Sequence, residues 1–236
     1  MLGIPGVAMS TTLESKIFNI REYTKNHPEL LNAHHFTYDL KIKDDQNSNS
    51  NYMVIGLNPG ELGSWETCDG PTEETSLYDF FVENGFNKNR SATNWSENAQ
   101  YFLGNQGNII TTNFFFWSAP NTNKIVFTER FGYEYHKNPH FDYCKEMNLS
   151  LFEYHKPKLI VAPGISMSRM MSKKYNLGSI VDQSVNYNPI NFKTSRLIEH
   201  YEYQGIPFIF TKHWTGRWGA DANEKRQIKE YLHKYL

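Results

Sequence analysis

The sequence predicts an α/β fold in which helices cover both faces of a central, mainly parallel sheet of four strands. Three observations predict this class. Four short runs of apolar residues are each bounded by turn residues, helical patterns lie between these runs, and the runs are nearly continuous in hydrophobicity. Continuous apolar runs are typical of strands that are buried on both faces. Strands that alternate with helices favour a three-layer α/β/α sandwich.

The elements follow in chain order. Thr11 to Tyr23 carries apolar residues at helical spacing, which predicts an opening amphipathic helix. The four predicted strands are Tyr52–Leu57, Asn108–Phe116, Lys158–Ala162 and Pro207–Thr211. The predicted helices between and after them are Asp142–His155, Ser166–Tyr175 and Asn223–Leu236. The 236 residues are expected to form a single domain over 1–236, in which 1–10 is a disordered or cloning-derived leader.

Composition excludes several classes of protein. Two cysteines, Cys68 and Cys144, are too few for a disulfide framework or a four-cysteine metal site, and they indicate a reducing, cytoplasmic setting. No run of 18 apolar residues occurs, and the first ten residues are too short and uncharged for a signal peptide, so neither a membrane span nor secretion is expected. The formal net charge of −1 is not typical of a globally basic nucleic-acid binder.

The charge is nevertheless unevenly distributed along the chain. Residues 61–83 hold seven acids and no lysine or arginine, which leaves a net charge of about +6 on the rest of the chain. Residues 156–174 hold five basic residues and no acid. Such a cluster is either a local site for a polyanion or a solvated face.

Turn residues and polar side chains follow each predicted strand. In a mainly parallel sheet, ligands bind beyond the carboxyl ends of the strands, so these segments form the candidate site. They are Asn58-Pro59-Gly60, Trp117-Ser118-Ala119-Pro120 with Asn113 inside the strand, Pro163-Gly164-Ile165-Ser166, and Lys212-His213-Trp214-Thr215-Gly216-Arg217.

Each of these segments has a chemical interpretation and a structural one. The amide of Asn58 can hold a water in line with an electrophilic carbon, although a lone NPG turn is more often structural. His213 can donate a hydrogen bond to an anionic leaving group, or it can be a packed or capping histidine. Asn113 can read the edge of a nucleobase or close a backbone network. The turn at Ser166 opens a predicted helix, where free amides and hydroxyls favour phosphate.

Together these segments resemble the uracil-DNA glycosylase superfamily. GLNPG is similar to the GMNPG and GINPG motifs of its single-strand-selective monofunctional and mismatch-specific branches. ITTNFFFWSAP and KPKLIVAPGISMSRMM are similar to segments of its thermophilic branches, and the likeness runs from about Tyr52 to Leu236. The resemblance implies a four-stranded parallel sheet between helices. It also implies hydrolysis of the N-glycosidic bond of a flipped-out nucleotide, which leaves an abasic site.

The resemblance also implies a role for each candidate residue. Asn58 would position the attacking water, and His213 would stabilise the departing base. The substrate-binding residues would be Gly56, Leu57, Pro59, Gly60, Glu61, Trp65, Tyr78 and Asn113. The DNA-binding residues would be Gly164, Ser166, Ser168, Lys212, Trp214, Thr215 and Arg217. DNA is the implied partner of a monomeric chain, and neither a metal nor a cofactor is implied.

The sequence departs from the family pattern in two places. The last motif usually begins His-Pro-Ser-Pro, whereas His213 is followed here by Trp-Thr-Gly. The aromatic residue that stacks on uracil lacks its usual context, which leaves Trp65 and Tyr78 as candidates.

The acidic segment 61–83 should border the pocket, so the base is either uracil or a larger pyrimidine such as the glucosylated hydroxymethylcytosine of phage DNA. A larger base would indicate anti-phage defence rather than DNA repair, and a solvated helix is the structural alternative for this segment.

The leading hypothesis is therefore a monofunctional DNA glycosylase. No lysine stands at the water-positioning site, where a Schiff-base nucleophile would be needed. The first alternative is a non-catalytic module that binds DNA or a protein, and the second is an unrelated α/β hydrolase or nucleotide-binding protein that shares only the NPG turn. His136 and His140 have a metal-like spacing, but Pro139 interrupts any helix between them, so no metal ligand is assigned.

Overall fold

The computed structural model of the protein describes residues 20, 22–31, 33, 38–41, 51–59, 90–104, 108–119, 124–179, 186–187, 195–215 and 219–236. The chain divides into two compact units. The first unit comprises residues 1–38, 58–75 and 112–156, and the second comprises residues 39–57, 76–111 and 157–236. Each unit is therefore assembled from segments that are far apart in the sequence.

A mixed sheet lies mostly in the second unit. Seven strands run in the order β1, β3, β2, β4, β9, β8, β5, and β6 pairs with β7 in a separate two-stranded sheet. The strands are β1 (Tyr38–Lys41), β2 (Asn51–Gly56), β3 (Asn108–Asn113), β4 (Leu159–Pro163), β5 (Gly178–Ser179), β6 (Asn186–Tyr187), β7 (Ser195–Arg196), β8 (Ile198–Tyr203) and β9 (Ile206–Thr211).

The centre of this sheet is parallel and one side is antiparallel. Strand β4 pairs in parallel with β2, where Val54 lies opposite Val161, and with β9, where Pro163 lies opposite Thr211. Strand β8 runs antiparallel to β9, so Ile198 also lies opposite Thr211. The carboxyl ends of β2, β4 and β9 therefore meet at one edge of the sheet.

The α/β class is confirmed, and the four predicted strands are present as β2, β3, β4 and β9, although β3 ends at Asn113, three residues before the predicted end at Phe116. The expected width of four strands is corrected, because β1 lies beyond β3 on one side and β8 and β5 lie beyond β9 on the other. Strand β8 reads IEHYEY, which lacks the continuous apolar run expected of a strand buried on both faces. A Gln204-Gly205 turn joins β8 to β9, and both of its residues have positive φ, as a tight hairpin requires.

Among the described residues, five helices have complete bounds, and residues 20 and 22–25 are helical as well. The five are α1 (Arg90–Leu103), α2 (Lys124–Phe131), α3 (His140–His155), α4 (Ser168–Lys174) and α5 (Ala222–Leu232), with 3₁₀ turns at Pro28–Leu30, Tyr135–Lys137 and Ile165–Met167. The three predicted helices over 142–155, 166–175 and 223–236 correspond to α3, α4 and α5, within a few residues at each end. The opening helix is described only at residues 20 and 22–25, and the rest of that prediction lies outside the described residues.

Each unit has a core of its own. In the second unit, strand residues such as Val54, Val161 and Ile209 pack with Phe102 of α1 and Ile228 of α5. In the first unit, aromatic rings dominate. Their members are Phe115, Phe127, Phe131, Tyr135 and Phe141, whose centroids lie 4.7–6.4 Å apart in the contacts that join them. The high aromatic content of the sequence is accordingly used in part for packing.

Candidate functional site

In the second unit, the ends of β2, β4 and β9 are joined by contacts that require a glycine at position 164. Gly164 N donates to the Thr211 carbonyl oxygen at 2.9 Å. Gly164 has φ +153°, and a Cβ at this position would lie only 3.0 Å from Leu57 Cδ2. Any larger residue would therefore combine backbone strain with a steric clash. The predicted substrate-binding residue Leu57 and the predicted DNA-binding residue Gly164 are thus in direct contact.

In the first unit, the carboxamide of Asn58 is held in one orientation by two backbone carbonyls. Its Nδ2 donates to the Pro59 oxygen at 2.8 Å and to the Ala119 oxygen at 3.0 Å. The Ala119 N–H in turn donates to the Pro59 oxygen at 3.2 Å. Because both partners of Nδ2 are acceptors, the amide cannot be flipped without loss of both bonds. Oδ1 is therefore the acceptor that this half-buried side chain presents.

Asn113, at the end of β3, has a buried carboxamide. The residue is only 8% exposed, and within the described part of the chain no group is seen to hydrogen-bond to its carboxamide. The local backbone network is closed by Asn148 of α3 instead. Asn148 Nδ2 donates to the Asn113 backbone oxygen at 2.9 Å, and its Oδ1 accepts from Thr112 Oγ1 at 2.9 Å. The donor and acceptor of the Asn113 side chain therefore remain to be satisfied by something else.

Asn148 is a residue that the sequence-based reasoning missed. It lies on α3 among Cys144, Leu151 and Phe152, which are all buried. Its position on the apolar face of the helix was the available signal, because a fully buried amide must find hydrogen-bond partners.

His213 follows β9 in the second unit and is oriented by the backbone of Thr215. His213 Nδ1 lies 2.8 Å from the Thr215 carbonyl oxygen and 3.2 Å from the Thr215 nitrogen. One ring nitrogen cannot serve both groups in one tautomer, so Nδ1 either donates to the carbonyl or accepts from the amide. In the second case Nε2 carries the proton and is a donor, as stabilisation of a leaving group requires. The His213 carbonyl also accepts from Ala220 N at 2.7 Å, which closes this loop.

Lys212 forms an ion pair with Glu224 of α5. Its Nζ lies 2.7 and 2.6 Å from the two carboxylate oxygens of Glu224, a residue that is only 4% exposed. Glu224 Oε2 also accepts from Asp221 N at 2.9 Å, and Asp221 caps the start of α5. The ammonium group that the sequence assigned to DNA therefore ties the His213 segment to α5 in this structure.

Two other side chains predicted to bind DNA, those of Trp214 and Ser168, are buried and form hydrogen bonds within the protein instead. Trp214 is 1% exposed, stacks on Phe102 at 4.7 Å between centroids, and donates from Nε1 to Thr211 Oγ1 at 3.0 Å. Ser168 is buried, and its hydroxyl donates to the Ile165 carbonyl oxygen at 2.8 Å. By contrast, Ser166 is exposed and Thr215 is half-buried.

Several predicted site residues lie outside the described residues. They are Gly60, Glu61, Trp65, Tyr78 and Arg217. The acidic segment 61–83 lies outside them as well, so its predicted position beside a pocket stays a prediction.

His140 is part of a buried hydrogen-bonded chain in the first unit. Its Nε2 donates to Glu29 Oε1 at 2.9 Å, which leaves Nδ1 to accept from the Tyr23 hydroxyl at 2.8 Å. Burial lowers the pKa of His140 and raises the pKa of Tyr23 to about 12, so neither group is charged near neutral pH. This chain ties residues 23–29 to the start of α3.

The metal-like spacing of His136 and His140 has another explanation in the structure. His136 Nε2 lies 3.2 Å from Glu134, whereas His140 bonds to Tyr23 and Glu29. Among the residues that the structure describes, no three His, Cys, Asp or Glu side chains are grouped closely enough to hold a metal ion. No helix in the described ranges has the length and apolar character needed to cross a membrane.

Comparison with known proteins found no family model that matches the chain. The curated proteins likewise contain no match to its sequence.

Proposed function

We propose that the protein is a monofunctional DNA glycosylase that removes uracil or a modified pyrimidine from DNA with water as the nucleophile. The observation that carries the proposal is the orientation of Asn58. Two carbonyls engage its Nδ2, so its Oδ1 can accept a hydrogen bond from one water proton. A water held by one proton keeps a lone pair that can point at C1′ of the nucleotide. The water oxygen then bonds to C1′ while the electron pair of the N-glycosidic bond leaves with the base. The proton that the water loses goes to the departing base through solvent, so the products are the C1′ hydroxyl and the neutral base.

The remaining candidate residues supply the other interactions that such a reaction needs. Asn113 is 8% exposed, and its carboxamide carries an adjacent donor and acceptor that suit the edge of a pyrimidine. His213 would donate from Nε2 to the departing base and stabilise its charge, which requires a proton on Nε2. A neutral ring has that proton when Nδ1 accepts from Thr215 N, and lacks it when Nδ1 donates to the closer Thr215 oxygen at 2.8 Å. The exposed Ser166 beside Gly164 would bind a backbone phosphate.

The strand order supports the finer fold assignment that belongs to this proposal. Strands β3, β2, β4 and β9 are neighbours in that order within the sheet. They would correspond to the central four strands of a uracil-DNA glycosylase-like sandwich, to which β8 is added as a hairpin with β9.

A product assay tests the proposal. The full chain is incubated with DNA that contains uracil and, separately, with phage DNA that contains glucosylated hydroxymethylcytosine, and abasic sites are then cleaved with alkali. We expect strand breaks in at least one of these DNAs and no adduct trapped by borohydride, because no lysine forms a Schiff base. Intact strands in every DNA would refute the enzymatic proposal. DNA binding without abasic product would instead favour the non-catalytic module.

Matched variants test the assigned roles. Asn58→Ala and His213→Ala are each expected to lower the rate by about 10²-fold or more, the usual cost of a lost transition-state contact. The controls are Asn26→Ala and His233→Ala, which remove exposed residues of the same types and should keep the wild-type rate. Near-normal rates in Asn58→Ala and His213→Ala would refute their roles even if the wild-type chain is active.

A further inference from the structure

The segment Trp117–Ala119 is a buried backbone platform in the first unit. All three residues are buried, and contacts from separate parts of this unit hold them. Trp117 Nε1 donates to Thr24 Oγ1 at 3.0 Å, and Arg130 Nη1 of α2 donates to the Ser118 carbonyl oxygen at 3.0 Å. Ala119 then contacts the Asn58-Pro59 turn through both its N–H and its carbonyl.

From these contacts we infer that Arg130 is a positioning residue for Asn58, acting through the peptide group between Ser118 and Ala119. The inference rests on the proposed function only for its catalytic consequence. The structural part, that Arg130 controls the orientation of the Asn58 carboxamide, depends on the hydrogen bonds alone.

The path from Arg130 to Asn58 consists of three consecutive steps. The guanidinium donates to the Ser118 carbonyl, which belongs to the same peptide group as the Ala119 N–H. A peptide whose carbonyl accepts from a cation is polarised, so its N–H becomes a stronger donor. That N–H donates to the Pro59 oxygen at 3.2 Å, and the Pro59 and Ala119 oxygens both accept from Asn58 Nδ2.

Charge makes Arg130 more effective in this place than a neutral donor would be. Burial lowers the pKa of its guanidinium, but an arginine stays protonated near neutral pH. A charge-assisted hydrogen bond to a buried carbonyl is about twice as strong as a neutral one. Loss of Arg130 therefore removes the charged donor to the Ser118 oxygen, and the Asn58 carboxamide gains freedom to rotate.

The consequence for the proposed reaction is a specific kinetic change. A freely rotating Asn58 would present Oδ1 and Nδ2 in turn, so fewer bound complexes would hold the water correctly. The Arg130 contact in this path is to the Ser118 backbone oxygen, so we expect its loss to act on the orientation of Asn58 rather than on substrate binding. For Arg130→Met we expect kcat to fall about 10- to 100-fold with KM within a factor of about two, the range for a lost hydrogen bond to a charged group.

The direct test observes Asn58 itself by NMR. The side-chain amide signals of Asn58 are assigned by their loss in Asn58→Asp, and their exchange with water is measured in the wild-type chain, in Arg130→Met and in Arg226→Met. Arg226 is the matched control because its side chain is 69% exposed. We expect protected Asn58 signals in the wild type and in Arg226→Met, and shifted, faster-exchanging signals in Arg130→Met.

The outcomes that overturn the inference are distinct from failure of the proposed function. Unprotected Asn58 protons in the wild type, or unchanged Asn58 signals in Arg130→Met, overturn it. If Arg130→Met does not fold, Arg130→Gln is measured instead, and unchanged signals in that variant have the same meaning. A wild-type chain that cleaves no DNA refutes the function, while the NMR result still decides whether Arg130 orients Asn58.

Two kinetic results complete the test where the chain is active. In Arg130→Ala, free guanidinium at concentrations too low to unfold the protein should raise kcat, whereas it should not rescue Asn58→Ala. Asn58 signals that respond to Arg130→Met while kcat stays at the wild-type value would show that Arg130 does not position a catalytic group.

Discussion

Removal of the Lys212 ammonium is expected to destabilise the fold, because it leaves the Glu224 carboxylate buried without its cation. In Lys212→Met, Glu224 keeps the hydrogen bond from Asp221 N but loses two short contacts, of 2.6 and 2.7 Å. A fully buried pair broken in this way costs about 3–5 kcal/mol. The Lys212 side chain is 24% exposed, so water screens part of the interaction and we expect about 2–3 kcal/mol.

The double variant Lys212→Met/Glu224→Leu separates this cost from ordinary packing. With both charges removed, the uncompensated carboxylate is gone. The hydrogen bond from Asp221 N to Glu224 is also lost, which costs about 1 kcal/mol. Urea unfolding of the wild type, both single variants and the double variant gives the coupling energy between the two residues. A free energy of unfolding for Lys212→Met within about 0.5 kcal/mol of the wild type would refute the reasoning.

The same double variant tests whether Lys212 also binds DNA. A lysine that neutralises a phosphate contributes about one to the slope of log affinity against log salt concentration. Because both carboxylate oxygens of Glu224 contact the Lys212 ammonium, we expect the double variant to keep the wild-type slope. A slope smaller by about one would show that Lys212 leaves Glu224 to bind a phosphate, as the sequence had suggested.

Three further predictions concern single substitutions. Gly164→Ala should lower the free energy of unfolding by about 2–4 kcal/mol, because of the positive φ and the close approach of Leu57. Leu57→Ala in that background should recover only the steric part of this loss. An unchanged urea midpoint in Gly164→Ala would contradict the prediction. Phe115→Ala, which removes a ring 5.1–5.4 Å from four aromatic neighbours, should cost about 3–5 kcal/mol, and a loss below about 1 kcal/mol would show that the cluster repacks. Burial lowers the pKa of His155 from 6.5 to about 4, so between these values the unfolded chain binds a proton that the native chain does not, and stability falls as the pH is lowered. Because the ring is partly exposed, we expect this loss of stability to be about 1–2 kcal/mol at pH 5, and His155→Gln should abolish it. The same dependence of the free energy of unfolding on pH in the wild type and in His155→Gln would disprove the prediction.

The predicted strands were found because their signals are local. A strand buried on both faces needs a continuous apolar run, and each of the four runs is confirmed as a strand. The start of α5 is similarly local, since Asp221 and Glu224 stand three residues apart and form a capping box. Strand β8 was missed because its sequence, IEHYEY, lacks a continuous apolar run. It is identified as a strand by its antiparallel pairing with β9 across the Gln204-Gly205 turn.

For the candidate site too, some features followed from short segments of sequence and others only from the tertiary structure. By itself the sequence determined which residue types follow the strand ends, because turn chemistry and buried apolar runs are properties of short segments. The tertiary structure decided what those side chains contact: Asn58 is oriented by Ala119, 61 residues away, and Lys212 is held by Glu224. It also decided that Trp214 is a core residue and that Asn148, rather than Asn113, closes the backbone network of β3. The physical reason is that a hydrogen bond or ion pair forms only within about 3–4 Å, and folding alone determines which distant groups come that close.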